Sequence, residues 1–299
     1  MRRRLAGGYL PLLVFLAGVW GASYLFIKVA VEEIEPAPMM EVRTLGAGVI
    51  LFAFVAARGL AREVLRAWRP CLVLGVINAA LPFWLIAWGE KHIDSSVAGI
   101  AQASVPVFVV LISVVLGERF SGSRLVGIGM GLMGVAVLTG FNPHGGWWAV
   151  AGTLAVVASS LSYASAGVYG QRSVKSVPGP VLAAGSMLAG GLVLLPFALV
   201  QLPDRAPSWQ AAGSLAALTL FGTVAAQLVL FRMLRLFGSA RMSLVTYLMP
   251  AFAVFYGATL LEEPVTAAAI GGLALILAGV AFGSGAVRLP ARDTTVTQP

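Results

Sequence analysis

The chain has 299 residues, 59% of them hydrophobic and only 11% charged, with a formal net charge of +8. Soluble domains carry roughly 25% charged residues, so this composition excludes a soluble enzyme, and its hydrophobicity excludes a disordered chain. What remains is an all-α polytopic membrane protein, because the apolar runs are continuous and about twice as long as the ten-residue alternating segments of a β-barrel.

Ten runs are long enough to cross a bilayer. The first, 9–31, follows Arg2–Arg4 and looks at its start like a signal peptide. It exceeds the length of such a segment and lacks a small-x-small cleavage site, so it reads as a retained first helix. Trp20 and Tyr24 share one face of it and Lys28 stands near its outer end. The second run, 38–57, has Arg43 near its outer start, with Glu41 in reach as a partner. The third, 71–90, holds Asn78 and the pair Trp84 and Trp88. The fourth, 95–116, holds Gln102 and Pro106, and the fifth, 123–140, carries Gly127-x-x-x-Gly131. Tyr163 lies in the sixth, 147–170; the seventh is 180–201. Gln227 falls in the eighth, 209–231, and Tyr247 and Pro250 in the ninth, 240–261. The tenth, 265–287, carries Gly279-x-x-x-Gly283. The linkers are short, hold prolines such as Pro36, Pro143, Pro178 and Pro203, and leave no room for a soluble domain.

Numbering the loops alternately from a cytoplasmic N-terminus puts 16 of the 20 basic residues inside; Lys28, Arg43, Lys91 and Arg205 fall outside with nine of the 12 acids. Short loops with this bias set orientation, so both termini are expected in the cytoplasm. The net positive charge is then a topology signal and nucleic acid is set aside as a partner. One cysteine, Cys71, and two histidines, His92 and His144, leave no basis for a disulfide or a metal cluster. There is no Walker loop and no catalytic constellation, so the chain is expected to be neither an ATPase nor another enzyme, and to need no cofactor.

Residues 71–140 align on 215–284 without a gap at an offset of 144. Pro106 falls on Pro250, Phe108 on Phe252, Glu118 on Glu262, Gly127 on Gly271, Ser95 on Ser239 and Leu74 on Leu218. Trp20 corresponds to Tyr163 at an offset of 143. Two five-helix units with an odd helix count stand inverted to each other, the arrangement of many secondary transporters. The expected units are 9–140 and 147–287, followed by a cytoplasmic tail, 288–299.

The segments VWGASYLFIK (19–28), MMEVRTLGAG (39–48), ASVPVFVVLISVVLGERFSGSRLVGIGMGLMGVAVLTG (103–140) and YLMPAFAVFYGATLLEEPVTAAAIGGLALILAGVAF (247–282) resemble the EamA family of the drug/metabolite transporter superfamily. The resemblance covers about 9–285. It implies a ten-helix basket with a central cavity in a bacterial-type inner membrane, exporting small metabolites, with amino acids frequent among the substrates. The first helix has no carboxylate in its middle, where small multidrug carriers have one; Trp20 and Ser23 occupy that stretch.

Polar groups inside a membrane are site hypotheses by default. Asn78, Gln102 and Gln227 offer amides suited to a zwitterion, or serve as glue between helices. Trp20, Tyr24, Trp84, Tyr163 and Tyr247 offer aromatic faces for an apolar side chain or an ammonium, against an interfacial belt that claims Trp88, Trp147, Trp148 and Trp209. These amides and the first five aromatics form the expected substrate site. Pro106 and Pro250, well inside their helices, are expected to make paired bends that gate the cavity, or static kinks. Lys28 and Arg43 anchor the chain at the interface or contact substrate. Glu118 and Glu262 read as loop or cap residues, and His92 and Glu41 are the remaining proton candidates. Partners are the small-molecule substrate and the lipid bilayer; a monomer suffices, and the glycine pairs also leave room for a homodimer. The alternatives are a carrier of phosphorylated, nucleotide-like or other organic anions or drugs, with Lys28 and Arg43 acting together, and a non-transporting membrane enzyme or regulatory subunit.

Overall fold

A computed structural model describes residues 2–117, 122–139, 146–174, 176–238, 242 and 244–283, with the side chains of 2–8, 124 and 139 outside that description. Glu118, His144, Ser239 and the 288–299 tail lie outside the described residues.

All regular structure among the described residues is helical. In a bilayer this is forced, since an unpaired backbone group in hydrocarbon costs several kcal/mol. The helices are α1 (Arg2–Val31), α2 (Pro36–Ala56), α3 (Ala61–Arg66), α4 (Trp68–Leu74), α5 (Leu81–Glu90), α6 (Ser95–Gln102), α7 (Val105–Val115), α8 (Gly122–Thr139), α9 (Gly146–Ser173), α10 (Gly179–Val200), α11 (Trp209–Thr219), α12 (Ala226–Phe237), α13 (Leu244–Leu260) and α14 (Ala267–Gly283). Two π-helical turns, Gly75–Ala80 and Leu220–Ala225, join α4 to α5 and α11 to α12. Seven of the expected runs are helices long and apolar enough to cross a membrane; the other three fall on the shorter apolar helices Leu125–Leu138, Leu244–Leu260 and Ala267–Phe282. The outward faces carry bare Leu192, Phe197, Phe255 and Ile270, a continuous apolar exterior that lipid covers and water does not. Trp147, Trp148 and Trp209 are exposed at helix starts, as an interfacial belt requires.

Two features differ from the sequence expectation. Pro106 does not bend a continuous helix. The chain breaks at Ala103 and Ser104, where i to i−3 bonds tighten the turn. Pro106 then takes the second position of α7, where its missing N–H leaves no bond unmade. Pro250 does lie inside α13, so the two prolines are not equivalent bends. The second difference is charge in the spans. Glu90 closes α5 fully buried, and Arg43 is 5% exposed in α2.

The packing follows a pattern. α2 lies against α10, and α8 against α14. α1 packs on α13 as α9 packs on α6 and α7; α1 packs on α11 and α12 as α9 packs on α5. Close contact along the α8–α14 seam depends on glycine: a Cβ on Gly134 would lie 2.7 Å from the Gly272 carbonyl, and one on Gly279 2.6 Å from the Gly127 carbonyl. Gly127, Gly131 and Gly279 therefore serve packing within the chain. At one end of the bundle the Lys28 ammonium donates to the carbonyls of Glu90 and Ile93, 2.8 Å each. Beside it, Glu263 accepts from the N–H groups of Ser95 (2.7 Å) and Ser96 (2.9 Å), capping α6. The capping carboxylate is thus Glu263; its neighbour Glu262 takes a left-handed backbone, φ 56.

Candidate functional site

The inner faces of the helices enclose a cavity of about 290 Å³. Six of the eight expected substrate residues line it: Trp20 and Tyr24 from α1, Asn78 from the first π turn, Gln102 at the end of α6, Tyr163 from α9 and Gln227 from α12. Arg43 of α2 joins them. Trp84 and Tyr247 do not. Trp84 stacks on Trp88 at 6.5 Å, in an aromatic row that runs on through His92 to Trp148. Tyr247 is half-buried against the core. Lys28, Pro106 and Pro250 are also off the wall. His92 leaves the site too: it lies outside the spans, stacked on Trp148 at 5.2 Å. Burial, then the charges of Lys91 and Lys28, holds its imidazole below the ordinary value and so neutral at pH 7.

The lining residues that sequence reasoning missed are Ser23, Ile27, Phe83, Ile86, Val105, Met187, Gly222, Thr223, Leu230, Thr246 and Met249. Most are apolar and look like core. For four of them, Phe83, Met187, Gly222 and Thr246, a signal existed in the repeat, as mates of expected residues. Projecting the wall by 144 residues carries Arg43 onto Met187, Asn78 onto Gly222, Phe83 onto Gln227, Ile86 onto Leu230, Gln102 onto Thr246 and Val105 onto Met249; both members of every pair line the cavity. Trp20 and Tyr163, the pair at 143, line it as well. The two π turns stand at an offset of 145, one residue from the same relation. A π turn widens the helix and frees carbonyls, and such turns collect at functional sites. Here Ser162 Oγ donates to the Ile77 carbonyl (2.7 Å) beside Asn78, and the Thr223 hydroxyl in the second turn faces Arg43.

The charge inside is one-sided. Arg43 Nε donates to Thr223 Oγ1 (3.0 Å), its Nη1 lies 3.8 Å from Met40 Sδ, and its guanidinium carbon sits 3.8 Å over the Phe83 ring centroid. No acidic residue lines the cavity, and Arg43 has no ion pair among the described residues. Gln102 Oε1 accepts from Ser159 Oγ (2.8 Å), which turns its buried Nε2 donor out without a protein partner. Burying an unpaired cation is costly. It is consistent with a wall that awaits an anion: a guanidinium with free donors, an amide N–H₂, and the rings of Trp20, Tyr24, Phe83 and Tyr163 around them. Among the described residues no group of His, Cys, Asp and Glu could hold a metal.

Comparison with known proteins agrees with this architecture. The model of the EamA-like transporter family matches residues 9–140 and again 150–284. The chain belongs to the EamA-like transporter family. It is 30% identical to the "Uncharacterized inner membrane transporter YedA" of Escherichia coli strain K12, over 80% of this chain and 78% of that protein. It is 26% identical to the "Uncharacterized transporter YvbV" of Bacillus subtilis strain 168, over 90% and 89%. It is 24% identical to the "Probable amino-acid metabolite efflux pump" of Salmonella typhimurium strain LT2, over 91% and 93%. A crystal structure of another protein superposes with a TM-score of 0.64 at 22% identity, over 94% of this chain and 97% of that one, which is a likeness of fold. This family member is therefore a multi-pass membrane transporter and not an enzyme.

Proposed function

We propose that this transporter is a secondary carrier that exports small carboxylate-bearing metabolites, amino acids foremost, by alternating access through the central cavity. The observation that carries the reading is the wall itself, an Arg43 cation without a carboxylate partner among amides and aromatic rings. Arg43 with Gln102 Nε2 receives the substrate carboxylate. Rings and hydroxyls receive the side chain and the ammonium by cation–π attraction and hydrogen bonds. The family supports export, and the Salmonella relative's name supports amino-acid metabolites for that protein.

The fold underneath is ten spans in two inverted five-helix units, 9–140 and 147–287, with both termini in the cytoplasm. The paired wall positions at a constant offset, the two π turns and the matching packing of α1 and α9 support it, as does the distribution of charge. Inverted halves that exchange conformations make inward-open and outward-open states of similar energy, which a carrier needs.

Arg43 also favours a second reading, an organic acid without an ammonium. Phosphorylated or nucleotide-like anions fit less well. Lys28 is engaged with backbone carbonyls, so one cation remains on the wall. The cavity also lies at the lower end of the 300–1,000 Å³ or so usual for ligand sites. Counterflow of labelled amino acids into liposomes holding the pure protein tests the proposal. Uptake above empty liposomes supports it; uptake of carboxylic acids alone selects the second reading. No uptake of either from folded protein overturns both.

A further inference from the structure

Glu90 is the anomaly the transport reading leaves unused. Its side chain is 0% exposed, and neither carboxyl oxygen has a hydrogen-bond partner. Buried carboxylates are almost always paired or hydrogen-bonded, because an isolated buried charge is so costly that the group is neutralised instead. Glu90 does not line the cavity. It continues the stripe of α5 that does: Phe83, Ile86 and Glu90 are spaced i, i+3, i+7 on one helix face, which puts Glu90 about 6 Å beyond Ile86 along the axis.

The surroundings identify what the carboxyl takes. Within electrostatic reach of it are Lys28 and Tyr24 of α1, Arg43 of α2 and Glu263 of the segment after α13, none of them bonded to the carboxyl. Asp94, before α6, shares the field of Lys28 and Glu263. α9 packs against α5 through Gly89 and Gly152, and the charged residue of α9 is Arg172 in its last turn. A bare metal cation would want the nearby backbone carbonyls as ligands. Those of Glu90 and Ile93 already hold the Lys28 ammonium. Glu263 is committed to the N-terminus of α6. The Lys28 ammonium is spent on those carbonyls and makes no ion pair with the carboxyl among the described residues, so the ligand left for a carboxyl shut off from water is a proton.

We propose that Glu90 is a proton-binding site, neutral while this end of the bundle is closed and ionised when the end opens to water. The balance is one proton. On opening, the carboxyl O–H bond breaks, the proton passes to water, and the carboxylate is held by solvent and the Lys28 ammonium; closing reverses the transfer. Opening of this end is then favoured by alkaline medium on that side and opposed by acid. The coupling reaches about tenfold in the opening equilibrium per pH unit, the limit for one proton. The transport consequence rests on the carrier reading above; the proton site itself does not.

Infrared spectroscopy of the full chain in lipid tests the site directly. The wild type is expected to show the carbonyl band of a protonated carboxyl at pH 7, Glu90→Gln to lack it, and Glu90→Asp, which keeps a carboxyl should the amide variant fold poorly, to show it shifted. Absence of the band from the wild type, or its unchanged presence in both variants, overturns the proposal. In liposomes, exchange of labelled amino acid by the wild type is expected to change up to tenfold per unit of pH on one side and that by Glu90→Gln to be flat. A pH response of Glu90→Gln equal to the wild type also overturns it. If the infrared result holds while no amino acid or organic acid is exchanged, the transport proposal fails and the proton site stands.

Discussion

Replacing Arg43 with Gln removes the one cation that lines the cavity among the described residues and keeps a shorter polar side chain, whose amide ends where the guanidinium begins. In the proposed bound state the guanidinium would donate to the substrate carboxylate, and a hydrogen bond to a charged group contributes about 1.5–3 kcal/mol. At about 1.4 kcal/mol per factor of ten, KM for a carboxylate substrate is expected to rise roughly tenfold to a hundredfold. Folding is not expected to suffer. The guanidinium is 5% exposed with no ion pair among the described residues, and removing a buried unpaired charge relieves a desolvation cost. Thr223 loses one neighbour but keeps its bond to the Leu218 carbonyl at 3.2 Å. Lysine at 43 restores charge without the planar fork and is expected to recover part of the loss. The assay is initial-rate counterflow at varied internal substrate, with thermal unfolding of each variant as control. A KM within twofold of wild type in well-folded Arg43→Gln refutes the reasoning. So does an equal loss for a substrate that carries an amine and no carboxylate.

Two further outcomes follow from the packing and the ends. Gly134→Leu should destabilise the α8–α14 seam, because even its Cβ would lie 2.7 Å from the Gly272 carbonyl and 2.8 Å from the Ile276 backbone nitrogen; overpacking of this kind costs about 1–3 kcal/mol, and a lowered Tm reads it. Glu33, outside the spans, accepts from the Ser208 hydroxyl and, at 2.7 Å, from its N–H, and these bonds hold its carboxyl below the ordinary value. A lowered carboxyl contributes stability above its unfolded value and loses it as pH falls through the folded one, so Ser208→Ala should flatten the acid side of a Tm-against-pH curve.

Seven of the spans were legible because hydrocarbon imposes length and apolarity on them, as in Tyr9–Val31 and Trp209–Phe237. The amides Asn78, Gln102 and Gln227 and the ring of Trp20 were legible as unusual groups at depth, and the structure gathers them at one cavity. What hid was of three kinds. Phe83, Ile86, Val105 and Met249 have the same composition as core; projection through the repeat distinguishes Phe83, the mate of Gln227, and leaves the other three hidden. Glu90 ends an apolar run, where a carboxyl would be expected to reach water, yet it is fully buried, with Lys28 bound to its backbone carbonyl. The break at Ala103 and Ser104 is marked by Pro106, which the sequence reading took as a bend and not as a helix start; the two π turns have no compositional mark, since backbone geometry there is settled by what packs on it, as with Ser162 on Ile77. Trp84 and Tyr247 sat at plausible depths but on helix faces turned away from the cavity, a rotation that apolar helices without amphipathic contrast do not declare.

Access to the cavity from both sides of the membrane is the central claim, and a single cysteine measures it. Val105 lines the wall, and the one native thiol, Cys71, is buried. In a Cys71→Ser background, Val105→Cys should be labelled by a membrane-impermeant thiol reagent both in intact cells and in inverted vesicles, with transported substrate slowing the labelling from each side. Labelling from one side only, whatever substrate is present, would contradict alternating access through this cavity.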